Sequence, residues 1–401
     1  MNDIKSKIKI YFASFSSTII RLVQNAGVII ILSNLLSFES FSDYVFGITV
    51  FGVLSLFIDS GSYNKTLSLK EEDINDYILD SMVIRAMLYL FSIVVSLIYV
   101  INSGIDLIFT VAGVVTFLSS IVETYLVSLK VKRRFYFELT LTFLQMSLVF
   151  IFLYLYDLGY IDEYNAIVIP RIMIFSLLLL INIRQIVGGL QFISRFSNVT
   201  RYYKSQWEYN LDSIVSGFNL NIDQYLIVFY LGKEALTVYQ SASKIYSAFI
   251  SLAGAIGAII IPNAVKENEI TKKAKGIVIP FLLFSFAFAL VHLIVAPTLS
   301  DLLFNLPIKL DESVFIMLSL IILTRYLNAG FGSTLMVLNM QYIRANANLL
   351  FNILIIVFSL VSSLFMDFDM QDILMTVLFS QILILITYVY FVRRAINEKV
   401  Y

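Results

Sequence analysis

The sequence of 401 residues contains no cysteine and a single histidine, and only 14% of its residues are charged. Without cysteine the chain can form neither disulfide bonds nor thiolate metal sites, and His292 alone cannot build a zinc site. We therefore expect no bound metal and no cofactor. Hydrophobic residues make up 59% of the chain, whereas a typical soluble domain is about 25% charged and about 45–50% apolar. This composition excludes an ordinary soluble protein.

Motifs of nucleotide-dependent and hydrolytic enzymes are absent from the sequence as well. There is no glycine-rich phosphate loop and no nucleophile placed beside a base, so we predict neither ATP hydrolysis nor another enzymatic activity. The longest connection between apolar segments, 61–81, is too short for a soluble catalytic domain. We also expect no nucleic-acid partner.

Long apolar segments occupy most of the chain. A helix of about 20 apolar residues crosses a hydrocarbon core about 30 Å thick, and a helix satisfies its own backbone hydrogen bonds there. The sequence predicts an all-α polytopic membrane protein with twelve transmembrane helices, at 10–34, 44–60, 82–101, 105–128, 136–156, 165–187, 207–231, 236–262, 277–297, 313–338, 343–365 and 372–392. We expect an N-terminal lobe of six helices, 1–187, a cytoplasmic linker, 188–206, and a C-terminal lobe of six helices, 207–401.

Basic residues of the connections fall almost wholly on alternate connections. The connections on one side of the membrane carry nearly all of the Lys and Arg, and the connections on the other side carry only Lys233 and Lys309. The positive-inside rule then places both termini in the cytoplasm. The first apolar run is too long for a signal peptide and the next span follows almost at once, so we interpret it as a retained helix.

Several basic residues lie inside the predicted spans. Those nearer span ends, which can reach the interface, are Arg85, Arg184 and Arg344. Those too deep to do so easily are Arg21, Arg171, Lys244 and Arg325. A central charge costs about 2.5–3.5 kcal/mol on insertion scales, so such residues usually face a bundle interior or an aqueous cavity. Only Asp223 is an acidic residue of similar depth, so the interior is predicted to be net basic. These deep basic residues would either line a cavity for an anionic substrate or form structural pairs.

Polar residues form one stripe on each of the seventh and eighth predicted spans. The first stripe, at steps of four, three and four, comprises Asp212, Ser216, Asn219 and Asp223. The second stripe comprises Gln240, Lys244, Ser247 and Ser251. The connection 232–235 is short, and Asp223 and Lys244 each lie about 12 Å below the outer ends of their helices. We therefore predict an ion pair or a shared charged site, with a structural or a functional role.

Further candidates accompany these charges. The first span adds Gln24 and Asn25 beside Arg21, and together with Asn219 and Gln240 these amides are candidate substrate-binding residues. His292, in the outer third of the ninth span, is either a packed histidine or a proton-handling group.

Two runs of the sequence resemble a known family. NIDQYLIVFYLGKEALTVYQSASKIYSAF at 221–249, followed by the GAIIIP that ends at Pro262, resembles the opening of the second half of O-antigen and polysaccharide repeat-unit flippases. These belong to the multidrug/oligosaccharidyl-lipid/polysaccharide (MOP) exporter superfamily. FSDYVFGITVFGVLSLFIDSGSYNKTLSL at 41–69 is similar to that family's second helix and its Asp-X-Gly turn, here Asp59 and Gly61.

The resemblance implies a substrate and a mechanism. The substrate would be an oligosaccharide linked through pyrophosphate to a polyprenyl carrier, moved from the inner to the outer leaflet of a bacterial cytoplasmic membrane by alternating access. Two lobes would enclose a cationic central cavity, which Arg21 and Lys244 would line. Membrane lipids and polysaccharide assembly proteins would be partners. A proton or a sodium ion could couple transport, and Asp223, Asp212 and Asp59 are candidate carriers.

Two other functions stay open. A multidrug exporter of the same superfamily would share the fold, but it would bind cations and present an acidic and aromatic lining. A membrane polysaccharide polymerase would match the size and span count, but it would expose a large outer loop with catalytic residues. The longest outer loop here, 298–312, is short.

Overall fold

A computed structural model describes most of the chain. The described residues are 2–59, 61–62, 65–66, 74–132, 134–188, 204, 207–265, 267, 269–338, 340–365 and 368–398. Regular structure in these ranges is helical, without a strand, so the predicted all-α fold is confirmed. The first six helices are α1 Asn2–Leu35, α2 Phe38–Asp59, α3 Ile74–Ser103, α4 Ile108–Val131, α5 Phe135–Asp157 and α6 Glu163–Gly188. The later five are α7 Trp207–Val265, α8 Ile270–Leu303, α9 Glu312–Val337, α10 Gln341–Ser362 and α11 Met370–Glu398.

Ten of these helices, all except α7, are long and apolar enough to cross a membrane. Their burial follows the pattern of a protein in lipid. The most apolar stretch, in α8, is only 22% buried, whereas that of the less apolar α4 is 72% buried. An apolar outer face of this extent is suited to hydrocarbon and not to water. The chain is a multi-pass membrane protein.

Helix α7 is too long for one span because it contains a reversal. Gly232 has φ 83° and ψ −177°, outside the helical region, and a positive φ of this size is readily adopted only by glycine. Hydrogen bonds from Tyr239 to Asp223 and from Gln240 to Gln224 join the parts on either side of it. The two halves of α7 therefore pack side by side. The predicted count of twelve spans stays a prediction.

The chain forms two compact units, Met1–Ile214 and Val215–Tyr401. In the N-terminal unit α4 packs against α2, α3 and α6, and in the C-terminal unit α9 packs against α8 and α11. Glycines allow close helix contacts in both units. A Cβ at Gly47 would lie 2.7 Å from the carbonyl oxygen of Phe109, and one at Gly330 would lie 2.8 Å from Cβ of Phe281. The predicted linker 188–206 lies outside the described residues apart from its residues 188 and 204.

Candidate functional site

A cavity of 740 Å³ lies within the C-terminal unit, among α7, α8, α9, α10 and α11. Its described lining residues include two arginines, Arg325 and Arg344, four serines and three tyrosines, but no aspartate or glutamate. They also include five carboxamides: Asn219, Asn221, Asn328, Asn348 and Gln381. This volume is within the range of about 300–1,000 Å³ that is usual for ligand sites. The cavity combines positive charge with many neutral hydrogen-bonding groups.

Helical periodicity brings the serines and amides of α7 to this wall. Ser216 and Asn219, three residues apart, share one face, as do Ser247 and Ser251, four residues apart. These four residues belong to the two predicted stripes. Two substrate candidates from the second stripe, Gln240 and Lys244, are not among the residues that line the cavity.

Arg325 is held in the wall by backbone oxygens. Its Nη2 donates to the carbonyl of Asn219 at 2.8 Å and its Nη1 donates to that of Leu220 at 3.0 Å. The guanidinium carbon lies 5.5 Å from the ring centre of Tyr246, within cation–π range. Within the described part of the chain Arg325 has no carboxylate partner. Carbonyl oxygens fix the guanidinium without cancelling its charge.

The carboxamides of the cavity form a chain of hydrogen bonds. Gln381 donates through Nε2 to Oδ1 of Asn219 at 2.9 Å. Asn328 donates through Nδ2 to the Gln381 carbonyl at 3.0 Å and to its Oε1 at 3.1 Å. Because each amide orients the next, the polar wall formed by α7, α9 and α11 is pre-organised.

The predicted ion pair between Asp223 and Lys244 is wrong. Asp223 is buried and accepts a hydrogen bond from the Tyr239 hydroxyl, and Lys244 makes no ion pair among the residues described. The reversal falls at Gly232 and not over four residues, so Asp223 lies level with Tyr239. Lys244 lies five residues further along its helix, about 7.5 Å deeper at 1.5 Å per residue.

Arg21 belongs to a buried ionic cluster in the N-terminal unit. Its Nη2 lies 2.5 Å from Oε1 of Glu138, whose side chain is wholly buried. Ser17 donates to the same oxygen at 2.7 Å, and Lys130 Nζ lies 3.5 Å from it. Arg21 Nη1 also lies 3.6 Å from the exposed carboxylate of Glu123. The cluster links α1, α4 and α5.

Asp59 is part of a second ionic cluster in the same unit. Its Oδ1 lies 2.7 Å from Nη2 of Arg85 and 2.9 Å from its Nε, and it accepts hydrogen bonds from Ser120 at 2.7 Å and Tyr89 at 3.1 Å. The Arg85 guanidinium also donates to Ser120, Thr124 and Ser62. The expectation that Arg85 reaches the interface is wrong, because the side chain is only 1% exposed and its charge is satisfied internally.

Other candidates are placed singly. Arg171 is buried, and its Nη1 donates to the carbonyl of Ile167 at 2.5 Å. Gln24 is buried and Asn25 is exposed. Asp212 lies in α7, but its side chain is outside the described part of the structure.

His292 is fully buried near the cavity. Its Nδ1 lies 2.8 Å from Oγ of Ser319, and its ring packs edge-on against Phe249 and Tyr246. These contacts favour the packed histidine over the proton-handling one.

Sequence reasoning missed Glu138 and Lys130. Glu138 is the third residue of the predicted fifth span, and Lys130 lies just beyond the fourth, so both fall near span ends. A charge at such a position is usually solvated. The sequence did indicate the pairing, because Lys130 and Glu138 lie at the inner ends of two consecutive helices and at a similar depth, which makes them neighbours.

No protein-family model matches the sequence, and no curated protein matches it. Solved structures match it over nearly the whole chain. An inward-facing MATE family transporter of the MOP superfamily matches with a TM-score of 0.68 at 13% identity, covering 94% of each chain. The lipid II flippase MurJ, in an inward closed conformation, matches with a TM-score of 0.67 at 12% identity, covering 96% of this chain and 87% of the other.

A third similar structure is a MOP superfamily transporter from Pyrococcus furiosus, whose binding pocket of reverse polarity is said to suggest a different function. Its TM-score is 0.62 at 12% identity, covering 97% of this chain and 95% of the other. The chain therefore has the fold of MOP superfamily transporters. This fold is the one that the sequence resemblance implied. The structural similarity establishes the fold. Because the sequence identities are this low, the substrate has to be argued from the site.

Proposed function

We propose that the protein is a flippase that moves a polyprenyl-pyrophosphate-linked oligosaccharide across a bacterial cytoplasmic membrane by alternating access. The observation that carries the proposal is the composition of the cavity in the C-terminal unit. Its described lining combines two guanidinium groups with five carboxamides and lacks a carboxylate. Guanidinium groups form strong charge-assisted bonds with phosphate oxygens. Carboxamides and hydroxyls both donate and accept, as sugar hydroxyls require.

The candidate residues support this substrate to different degrees. Arg325 and Asn219 lie on the cavity wall and are proposed to contact the head group. Arg21, which lies in the N-terminal unit, is also proposed to bind an anionic group of the substrate. The substrate-binding roles first assigned to the remaining candidates stay proposals without a described cavity contact, namely Lys244, Arg171, Gln24, Asn25 and Gln240.

For ion coupling, Asp223 is the strongest of the three proposed carriers. It is buried, and its Oδ1 has no hydrogen-bond partner among the described residues. Asp59, by contrast, is paired through Oδ1 with the buried guanidinium of Arg85. Asp212 stays a proposal. A proton or sodium ion remains the proposed coupling ion, and polysaccharide assembly proteins remain proposed partners.

The fold also suits a multidrug exporter, since MATE family transporters share it. A cationic drug would be repelled by Arg325 and Arg344 and would find no carboxylate on the described cavity wall. Electrostatics therefore favours the anionic substrate. A polymerase is not supported by a further observation.

The proposal is tested by transport in liposomes with a cavity-filling variant. The substrate is a polyprenyl diphosphate that carries a fluorescent disaccharide, and a membrane-impermeant quencher reports the fraction in each leaflet. Gly254 lines the cavity, and a Cβ there would meet nothing within 4 Å, so Gly254→Leu should place a bulky side chain in the cavity. Gly52 in α2 has equally open surroundings and lies in the other unit, so Gly52→Leu is the control.

We expect transport by the unchanged protein and by Gly52→Leu, and near-background transport by Gly254→Leu. Ethidium, a cationic drug, should not be transported. Ethidium transport without movement of the diphosphate lipid would replace the flippase by a drug exporter.

A further inference from the structure

The ionic cluster around Glu138 holds more positive charge on this buried carboxylate than neutrality requires. Arg21 and Lys130 both approach Oε1, at 2.5 and 3.5 Å. One cation would suffice to neutralise Glu138, and the second carboxylate of the cluster, Glu123, is 56% exposed and can be solvated by water. The second cation is therefore available for another role.

The two cations differ in how freely they can leave. The Arg21 side chain is 21% exposed and lies between the wholly buried Glu138 and Glu123, which is 56% exposed. If Arg21 turns away, Lys130 still neutralises Glu138, and water solvates Glu123. Removing one partner of a buried pair is normally strongly destabilising, because it leaves an uncompensated charge. The second cation removes that penalty here.

The cluster around Asp59 provides an internal comparison. Asp59 has one cationic partner among the described residues, Arg85, which is almost fully buried and bound by several hydroxyls. That pair cannot separate without leaving the buried charge of Arg85 without a counter-ion. Of the two ionic clusters described above, the one around Glu138 is suited to exchange of a cation and the one around Asp59 is not.

We propose that Glu138 and Lys130 hold Arg21 as an exchangeable anion-binding group. The Arg21 guanidinium breaks its contact with Glu138 and binds the diphosphate of the lipid-linked substrate instead. The identity of the ligand rests on the proposed function, whereas the exchange rests on the cluster alone. Glu138 and Lys130 are positioning residues, and Arg21 is the group that contacts the diphosphate.

The exchange predicts opposite effects for the two positioning residues. Glu138→Gln frees Arg21 and should tighten diphosphate binding about tenfold, which corresponds to about 1.4 kcal/mol. Lys130→Gln makes Arg21 the sole counter-ion of Glu138 and should weaken binding by a similar factor, whereas Lys130→Arg should preserve it. Arg21→Gln should weaken binding about tenfold.

The test is titration calorimetry on the full, detergent-solubilised chain with a polyprenyl diphosphate. Inorganic pyrophosphate and a polyprenyl monophosphate are the second and third probes. The decisive variants are Arg21→Gln/Glu138→Gln and Arg21→Gln/Lys130→Gln. If the positioning residues act through Arg21, these double variants should bind as Arg21→Gln alone does. If they act by long-range electrostatics, their effects should persist without Arg21.

Charge-matched controls come from an exposed ion pair in the C-terminal unit, Lys272 with Glu269, at 3.0 Å. Lys272→Gln and Glu269→Gln remove the same charges in the other unit, outside the cluster, and should leave affinity unchanged. Binding of inorganic pyrophosphate with the same pattern would show that the head group alone drives the exchange. Selectivity for the lipid form with that pattern would show that the carrier contributes.

The outcomes separate the two proposals. Failure of the unchanged protein to bind any diphosphate would overturn both the flippase and the exchange. Binding that Glu138→Gln does not tighten, or double variants that behave additively, would overturn the exchange alone. If Glu138→Gln does not accumulate, Lys130→Gln against Lys130→Arg decides, and equal affinity of these two variants would refute the proposal.

Discussion

Replacing Asp59 by Ala should destabilise the protein far more than replacing Arg85 by Met. The two side chains join the end of α2 to α3, and Ser120 and Thr124 extend the contact to α4. Their burial is unequal, because Arg85 is 1% exposed and Asp59 is 32% exposed. The loss of stability in each variant therefore depends on the burial of the partner that keeps its charge.

In Asp59→Ala the guanidinium of Arg85 stays buried without a carboxylate, and the hydroxyls of Tyr89 and Ser120 lose their common acceptor. Breaking a buried pair in this way costs about 3–5 kcal/mol. In Arg85→Met the aliphatic part of the side chain is retained, and water can reach the carboxylate of Asp59. We expect a cost of about 1–3 kcal/mol, near that of hydrogen bonds to a charged group.

The measurement is the unfolding of detergent-solubilised variants, ranked by thermal midpoint, with transport measured in parallel. Asp59→Leu/Arg85→Met removes both charges and should be more stable than Asp59→Ala. Asp59→Asn should lose stability together with activity if Asp59 is a structural clamp. An Asp59→Asn variant with normal stability and no transport would refute this reasoning and restore Asp59 as an ion carrier.

Three further predictions concern packing, coupling and topology. Gly330→Ala should cost about 1–3 kcal/mol through overpacking against α8, whereas Gly254→Ala, with nothing within 4 Å, should cost nothing, as thermal unfolding would measure. The stability changes of Asp223→Asn and Lys244→Gln should add within about 0.5 kcal/mol, because the two side chains are not paired; a larger coupling would restore the ion pair. A cysteine at the exposed Tyr160 should react with an impermeant reagent from outside the cell only, and labelling from the cytoplasm would contradict the twelve-span topology.

The helices and the polar stripes were predictable because they follow from one-dimensional patterns. Apolar length indicates a span, and steps of three and four indicate a face. Ser216, Asn219, Ser247 and Ser251 therefore reach the cavity as their spacing suggests. The cavity itself was not predicted in one unit, because the distant parts of its wall, such as Arg344 and Gln381, meet only through the packing of α10 and α11.

Pairing was the least predictable property because it depends on axial register between helices. A shift of the reversal to Gly232 was enough to place Tyr239, and not Lys244, beside Asp223. The depth argument also treated residues near span ends as solvated. That assumption excluded Glu138, which the packing of α1 and α4 buries completely.

The basic residues of the predicted net basic interior therefore differ in what their guanidinium groups contact. Arg325 is bound by carbonyl oxygens, which orient its charge but do not neutralise it, so this part of the cavity wall is positively charged. Arg21 is bound by the carboxylate of Glu138, which it shares with Lys130, so its guanidinium is engaged until that contact breaks. Arg325 therefore presents its charge to an anion directly, whereas Arg21 can do so only after its contact with Glu138 has been exchanged.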